Sequence, residues 1–145
     1  MRERIEQVLK DINLYSEDAR ELIMGTFAQE SRFKYVRQIG GGPALGFGQM
    51  EPATFKDIID NYLRYKPVLM SRMIRAVGLL EVEDLVHNVE LMIAMTRIHY
   101  LRVPEKLPSC KDVPAMARYW KQYYNTPLGK GTEEEFIENY YKYCL

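Results

Sequence analysis

Among the chain's ionisable residues, Glu30 has the surroundings that acid–base chemistry needs. It follows Phe27-Ala28-Gln29 and precedes a glycine-rich stretch: Gly40-Gly41-Gly42-Pro43, then Gly46-Phe47-Gly48-Gln49. Glycine lacks a Cβ and tolerates positive φ, so backbone at these positions can approach a ligand closely. A carboxylate at a helix end facing such a turn makes a cleft that contains a proton. Burial raises the pKa of that proton toward the range where a general acid works at neutral pH. Gln49 adds a neutral amide, which can donate to and accept from hydroxyl or amide groups without adding charge. An acid of this kind can give its proton to a leaving oxygen, and its conjugate base can then take a proton from an attacking hydroxyl.

Two motifs carry a resemblance. Glu30-Ser31-Arg32-Phe33 has an aromatic residue three positions after the acid, and Gly46-Phe47-Gly48-Gln49-Met50-Glu51-Pro52-Ala53-Thr54 follows with Gln49 nineteen positions beyond Glu30. Together they resemble the lysozyme-like lytic transglycosylases of the Slt/goose-type superfamily, which cleave the MurNAc–GlcNAc β-1,4 bond of peptidoglycan. The resemblance implies a lysozyme-like domain with Glu30 as sole acid/base. It places Ser31, Gly46, Phe47 and Gln49 against the glycan strand, and calls for no cofactor and no metal. A third family motif, Ala-Tyr-Asn-x-Gly, is matched loosely by Tyr124-Asn125 within Tyr123-Tyr124-Asn125-Thr126-Pro127-Leu128-Gly129. It implies that Tyr124 hydrogen-bonds the acid and that Asn125 contacts substrate. There are departures: Gly48 stands where the family usually has Met, which would widen the cleft or loosen its packing. Glu51 replaces a usually apolar residue. The match covers about the first 55 residues well, and residues 119–132 loosely.

Each residue also has a plainer reading. Without the motif, Glu30 would be a surface carboxylate, solvated or paired with Arg32 or Arg37. Ser31 could be a helix-surface hydroxyl. Glu51 is open to two roles: a second carboxylate that activates water, or, preferred, a charge that stabilises the N-terminus of the helix beginning at Pro52. A transglycosylase needs no partner carboxylate, because the muramic acid 6-hydroxyl attacks to give a 1,6-anhydro product. A hydrolytic muramidase therefore stays open as an alternative, as does a non-catalytic virion or structural module on the same fold. Leu128-Gly129-Lys130-Gly131-Thr132 lacks the spacing of a phosphate-binding loop. His87 and His99 have no ligand cluster around them. Tyr119 and Trp120, and the Tyr140, Tyr141 and Tyr143 group, read as packing residues.

The chain has 145 residues, 47% of them hydrophobic, enough for one domain with its own core spanning residues 1–145. Lys+Arg and Asp+Glu number 20 each. No overall field therefore favours nucleic acid or anionic lipid, and a substrate must be held by local contacts. Cys110 and Cys144 read as free thiols, since two cysteines make no disulfide framework. The charged N-terminus has neither an apolar core segment nor a small-residue cleavage site, and no apolar run approaches membrane-spanning length. The expectation is a monomer made in the cytoplasm without a signal peptide and not inserted in a membrane. For a wall-cleaving enzyme that fits a phage or prophage protein, carried in the virion or released through a holin.

The elements that must position these residues are helical, about seven in number. Ile5, Val8, Leu9 and Ile12 form one face of a helix over 2–12. Ser16 caps a second, 17–33, whose stripe of Ala19, Leu22, Ile23 and Phe27 puts Glu30 toward the core-facing side. Residues 34–49 are irregular, with a short hairpin of Tyr35-Val36 against Phe47. Helices follow over 52–64, 67–80 and 83–102, the last being the longest and central. Another runs from Asp112 through Tyr124. The last, to about Tyr143, opens on the capping-box spacing of Thr132 and Glu135.

Overall fold

Every residue from Met1 to Leu145 is described in the computed structural model. Seven α-helices follow in order: α1 Arg2–Asp11, α2 Glu17–Ser31, α3 Pro52–Asn61, α4 Pro67–Val77, α5 Val89–Leu101, α6 Val113–Trp120 and α7 Glu133–Tyr143. There are no strands, only isolated bridges from Leu45 to Arg37 and to Met50. The mostly helical single domain expected from the sequence is therefore present. No helix is long and apolar enough to cross a membrane.

Local chemistry sets the helix ends. Ser16 Oγ accepts from the Ala19 N–H at the start of α2, and Asp112 does the same for Ala115 at α6. Thr132 and Glu135 form a reciprocal capping box at α7. Pro52, Pro67 and Pro114 sit in first turns, where a missing N–H costs nothing.

Several boundaries differ from the sequence expectation. The predicted helix over 83–102 is two elements, a 3₁₀ segment Val82–Val86 and then α5. Asn88 divides them: its Oδ1 caps Leu91 N–H while its Nδ2 donates to Val77 O. The longest helix is accordingly α2, with 15 residues, and not α5 with 13. The helix from Pro52 stops at Asn61, and Leu63–Tyr65 turns as 3₁₀. After Trp120 the chain widens into a π-turn, Lys121–Asn125, closed by Thr126 N–H to Lys121 O. In the 34–49 segment the backbone pairs are Gly46 with Val36 and Ala44 with Gln38, so Phe47 is not the partner of Val36.

The core forms around α2 and α5. Both are buried around most of their circumference, with Leu22, Ile23, Phe27 and Ala28 from one and Leu91, Ile93, Ala94, Met95 and Ile98 from the other. Helix α7 lies against α2. A Cβ at Gly25 would stand 2.4 Å from Phe136 Cζ, so glycine is what lets that ring close onto the helix. Trp120, fully buried at the end of α6, packs on the same Phe136 at 5.5 Å between ring centroids. Cys110 is half-buried and Cys144 buried, and no disulfide joins them.

Candidate active site

Glu30 is the penultimate residue of α2, just before Arg32 and Phe33 take up left-handed backbone, with φ of 56° at each. The helix stops there, so the side chain emerges from the core at the edge of a groove of about 530 Å³. Gln38, Gln49, Met50, Glu51, Thr54, His99, Tyr124, Asn125, Thr126 and Lys130 share that groove with Glu30. The convergence of Glu30, Gln49 and Tyr124 joins residues far apart in sequence, brought together by α2, the 38–54 segment and the π-turn after α6.

Glu30 is half-buried and pairs with no cation; Arg37 is instead near Glu83, at 3.8 Å. Burial pushes its pKa up to about 7, opposed by one hydrogen bond from the Trp120 indole, Nε1–H to Oε2 at 3.0 Å. Desolvation disfavours the ionised form and the indole donor favours it, and desolvation dominates. Oε1 accepts no hydrogen bond from the protein and is not sealed in the core. Near neutral pH the carboxyl can therefore carry its proton on the oxygen that faces the groove.

The donor to Glu30 differs from the one the resemblance implies. Tyr124 does not donate to Glu30; its hydroxyl donates to Gly48 O. Its pKa is raised well beyond its ordinary value by burial and then by the negative charge of Glu30, so it stays a neutral phenol beside the acid. Trp120 takes the place of that donor. It is fully buried, and its aromatic and donor roles cannot be told apart in the sequence.

The two motif glycines do not open space for a sugar. A Cβ on Gly48 would stand 2.7 Å from Tyr124 Oη and 2.8 Å from Thr96 Oγ1, so its missing side chain makes room for the phenol. The volume expected to widen the cleft is filled. Gly46, at φ 78°, presses against Leu85 O at 2.9 Å and the Met92 side chain at 3.1 Å, on the core side. Phe47 also turns inward, packing edge-on to Phe27 and Phe33 at 5.9 and 6.5 Å, while its N–H donates to Met92 Sδ. Neither Gly46 nor Phe47 lines the groove.

Ser31 is buried, and its hydroxyl donates to Phe47 O at 2.7 Å and Phe27 O at 3.1 Å. It fastens the glycine turn to the end of α2 and does not contact the groove. Gln49, with left-handed φ of 48°, does line it. Its Nε2–H donates to Gly46 O at 2.9 Å, which holds the turn closed and leaves the amide oxygen as its free group. Glu51 precedes α3 as an exposed N-cap residue without a side-chain capping bond, and it lies on the same groove as Glu30.

Two further residues escaped the sequence reading. His99, on α5, packs its ring 4.7 Å from that of Tyr124. Burial, then the charge of Arg102, lowers its pKa to about 4, so it is a neutral wall at pH 7. Lys121 lies under the loop that carries Asn125 and Lys130. Its ammonium donates to Asn125 Oδ1 and Gly129 O at 2.8 Å and to Gly131 O at 2.5 Å. Asn125 thus reaches the groove with its oxygen already engaged.

No cluster of three or more His, Cys, Asp or Glu side chains suited to a metal occurs. The groove offers one poised acid, neutral donors and acceptors, one flanking carboxylate and one lysine, Lys130. No protein-family profile matches the chain, and comparison with curated proteins and with solved structures gives no significant match.

Proposed function

We propose that the chain is a lysozyme-like, peptidoglycan-cleaving lytic transglycosylase that acts on the MurNAc–GlcNAc β-1,4 bond through Glu30. One observation carries the reading: a carboxyl with a pKa near 7, bonded only to an indole N–H, opens on a polar groove with Gln49 and Tyr124. Glu30 donates its proton to the glycosidic oxygen as the C1–O bond breaks, and the GlcNAc hydroxyl leaves. The resulting carboxylate then takes the proton of the muramic acid 6-hydroxyl as that oxygen closes on C1. The acid is regenerated, and the new chain end is a 1,6-anhydro ring. A groove without strong charge of either sign suits a largely neutral glycan, bound through amides, hydroxyls and the His99–Tyr124 wall.

The test is the turbidity loss of purified cell walls with wild type and Glu30→Gln. Wild type clears the suspension, and the variant is slower by roughly a thousandfold or more, as loss of an essential acid requires. Equal clearing by the two would remove Glu30 from the chemistry. No clearing by either would leave a non-catalytic module.

Glu51 favours a second reading, since a second carboxylate on the same groove is what a hydrolase uses to position water. Mass spectrometry of the released fragments separates the two: anhydro ends are lighter by one water than reducing ends. Glu51→Gln leaves a transglycosylase's products unchanged and depletes a hydrolase's reducing ends.

A further inference from the structure

The chain is neutral overall, yet its charge is not evenly spread. Between Asp60 and Glu81 there is no acidic residue, while Arg64, Lys66, Arg72 and Arg75 all lie in that interval. The interval comprises α4 and its two flanks, and all four cations are exposed. None takes part in any of the nine ion pairs of the protein. Interspersed with them are exposed apolar side chains: Tyr65 and Leu79 at 70% of full exposure, Val68 at 64% and Ile74 at 43%. The inner face of α4 places Met73 and Val77 in the core, and these outer residues are not part of it. A cleft of about 540 Å³ opens on the same surface, lined by Leu63, Met70 and Ile74 together with Arg64 and Arg75.

Cations outside any ion pair, with Lys66 resting over the Tyr62 ring at 5.5 Å, interspersed with exposed apolar groups suit a partner that offers both anions and a nonpolar phase. A polyanion supplies only the first. A second copy of this face would bring the four cations of each chain together and is disfavoured by repulsion. We propose that the α4 face docks on an anionic phospholipid surface. Arg64, Lys66, Arg72 and Arg75 engage lipid phosphates, while Tyr65, Val68, Ile74 and Leu79 enter the boundary between headgroups and acyl chains. The helix lies along the surface and does not cross it. The face shares no residue with the Glu30 groove, so the proposal stands apart from the glycan-cleaving reading.

Co-sedimentation of the full chain with vesicles tests it. One set is phosphatidylcholine alone; the other contains about one third phosphatidylglycerol. Wild type is expected to sediment with the anionic vesicles at low salt, to be released at high salt, and to ignore the neutral ones. Arg64→Glu with Arg75→Glu, and separately Val68→Ser with Leu79→Ser, each weaken binding by at least about tenfold at unchanged melting temperature. Four results would each overturn the proposal. The first is no binding of wild type to anionic vesicles. The second is binding that neither double variant weakens. The third is vesicle binding insensitive to the apolar pair with equal retention on heparin, which marks a polyanion site. The fourth is a wild-type dimer in sedimentation velocity that both double variants disperse, which assigns the face to a second copy.

Discussion

Glu30 is kept in a state that opposes stability. Its ordinary pKa is 4.5 and its folded value about 7, so the folded protein holds this proton more tightly than the unfolded chain does. The contribution is fully present below about pH 4.5 and is lost as pH rises through 7, where ionising the buried carboxyl works against the fold. The penalty at alkaline pH is about 3 kcal/mol. Glu30→Gln, which keeps the shape and can still accept from Trp120, is therefore expected to unfold at higher denaturant than wild type at pH 8. The difference should shrink toward zero near pH 4.5, and denaturation midpoints across that range measure it. A variant that is inactive yet more stable only at alkaline pH identifies the carboxyl as selected for its proton and not for packing.

At the scale of elements, the groove depends on how closely the glycine turn approaches the π-turn. Gly48→Ala places a methyl group against Tyr124 Oη and Thr96 Oγ1, and the phenol cannot retreat because Tyr100 and His99 flank it at 5.3 and 4.7 Å. The expected cost is about 1–3 kcal/mol, and under the proposed function wall clearing falls as Tyr124 shifts beside the acid. Thermal melts and activity on the same sample check both parts. Much of this scale was legible in the sequence. Ser16, Asp112, Thr132 with Glu135, and the three helix-starting prolines announce their helices through local hydrogen-bonding logic, and Glu30 sits three residues beyond Phe27 on the apolar side of α2. The turn was harder to read. In the irregular 34–49 segment no period says which way a side chain points, so the motif puts Gly46 and Phe47 against the glycan where the structure turns them toward the core. It does the same for Ser31, the last residue of α2, whose hydroxyl is spent on Phe47 O and Phe27 O. Asn88 hid the break before α5 because the 3₁₀ segment continues the apolar spacing. Lys121 depends on a π-turn, whose one extra residue per turn leaves no compositional mark.

Across the whole molecule, one buried carboxylate links the chain's beginning to its end. Glu21, on α2, accepts from Arg2 Nη2 at 2.8 Å, Arg20 Nε at 2.8 Å and Tyr140 Oη at 2.7 Å, joining α1, α2 and α7. Burial alone would raise its pKa, but hydrogen bonds from Arg2, Tyr140 and Arg20 together outweigh this and hold it below the ordinary value. The sign is the reverse of that at Glu30: stability from Glu21 is present above pH 4.5 and is lost as pH falls through the depressed value. Glu21→Gln should cost about 2–3 kcal/mol at pH 7, and the deficit should narrow on acidification in equilibrium unfolding. The two carboxylates confine the pH range of greatest stability from opposite sides.

The protein contains a single tryptophan, and its indole nitrogen donates to the groove acid. Ultraviolet emission excited at that indole is therefore an optical readout of one carboxyl, uncontaminated by any second fluorophore of its kind. A titration of the unlabelled protein should show an intensity step centred near pH 7, absent in Glu30→Gln, and should move when a ligand enters and changes the carboxyl's solvation.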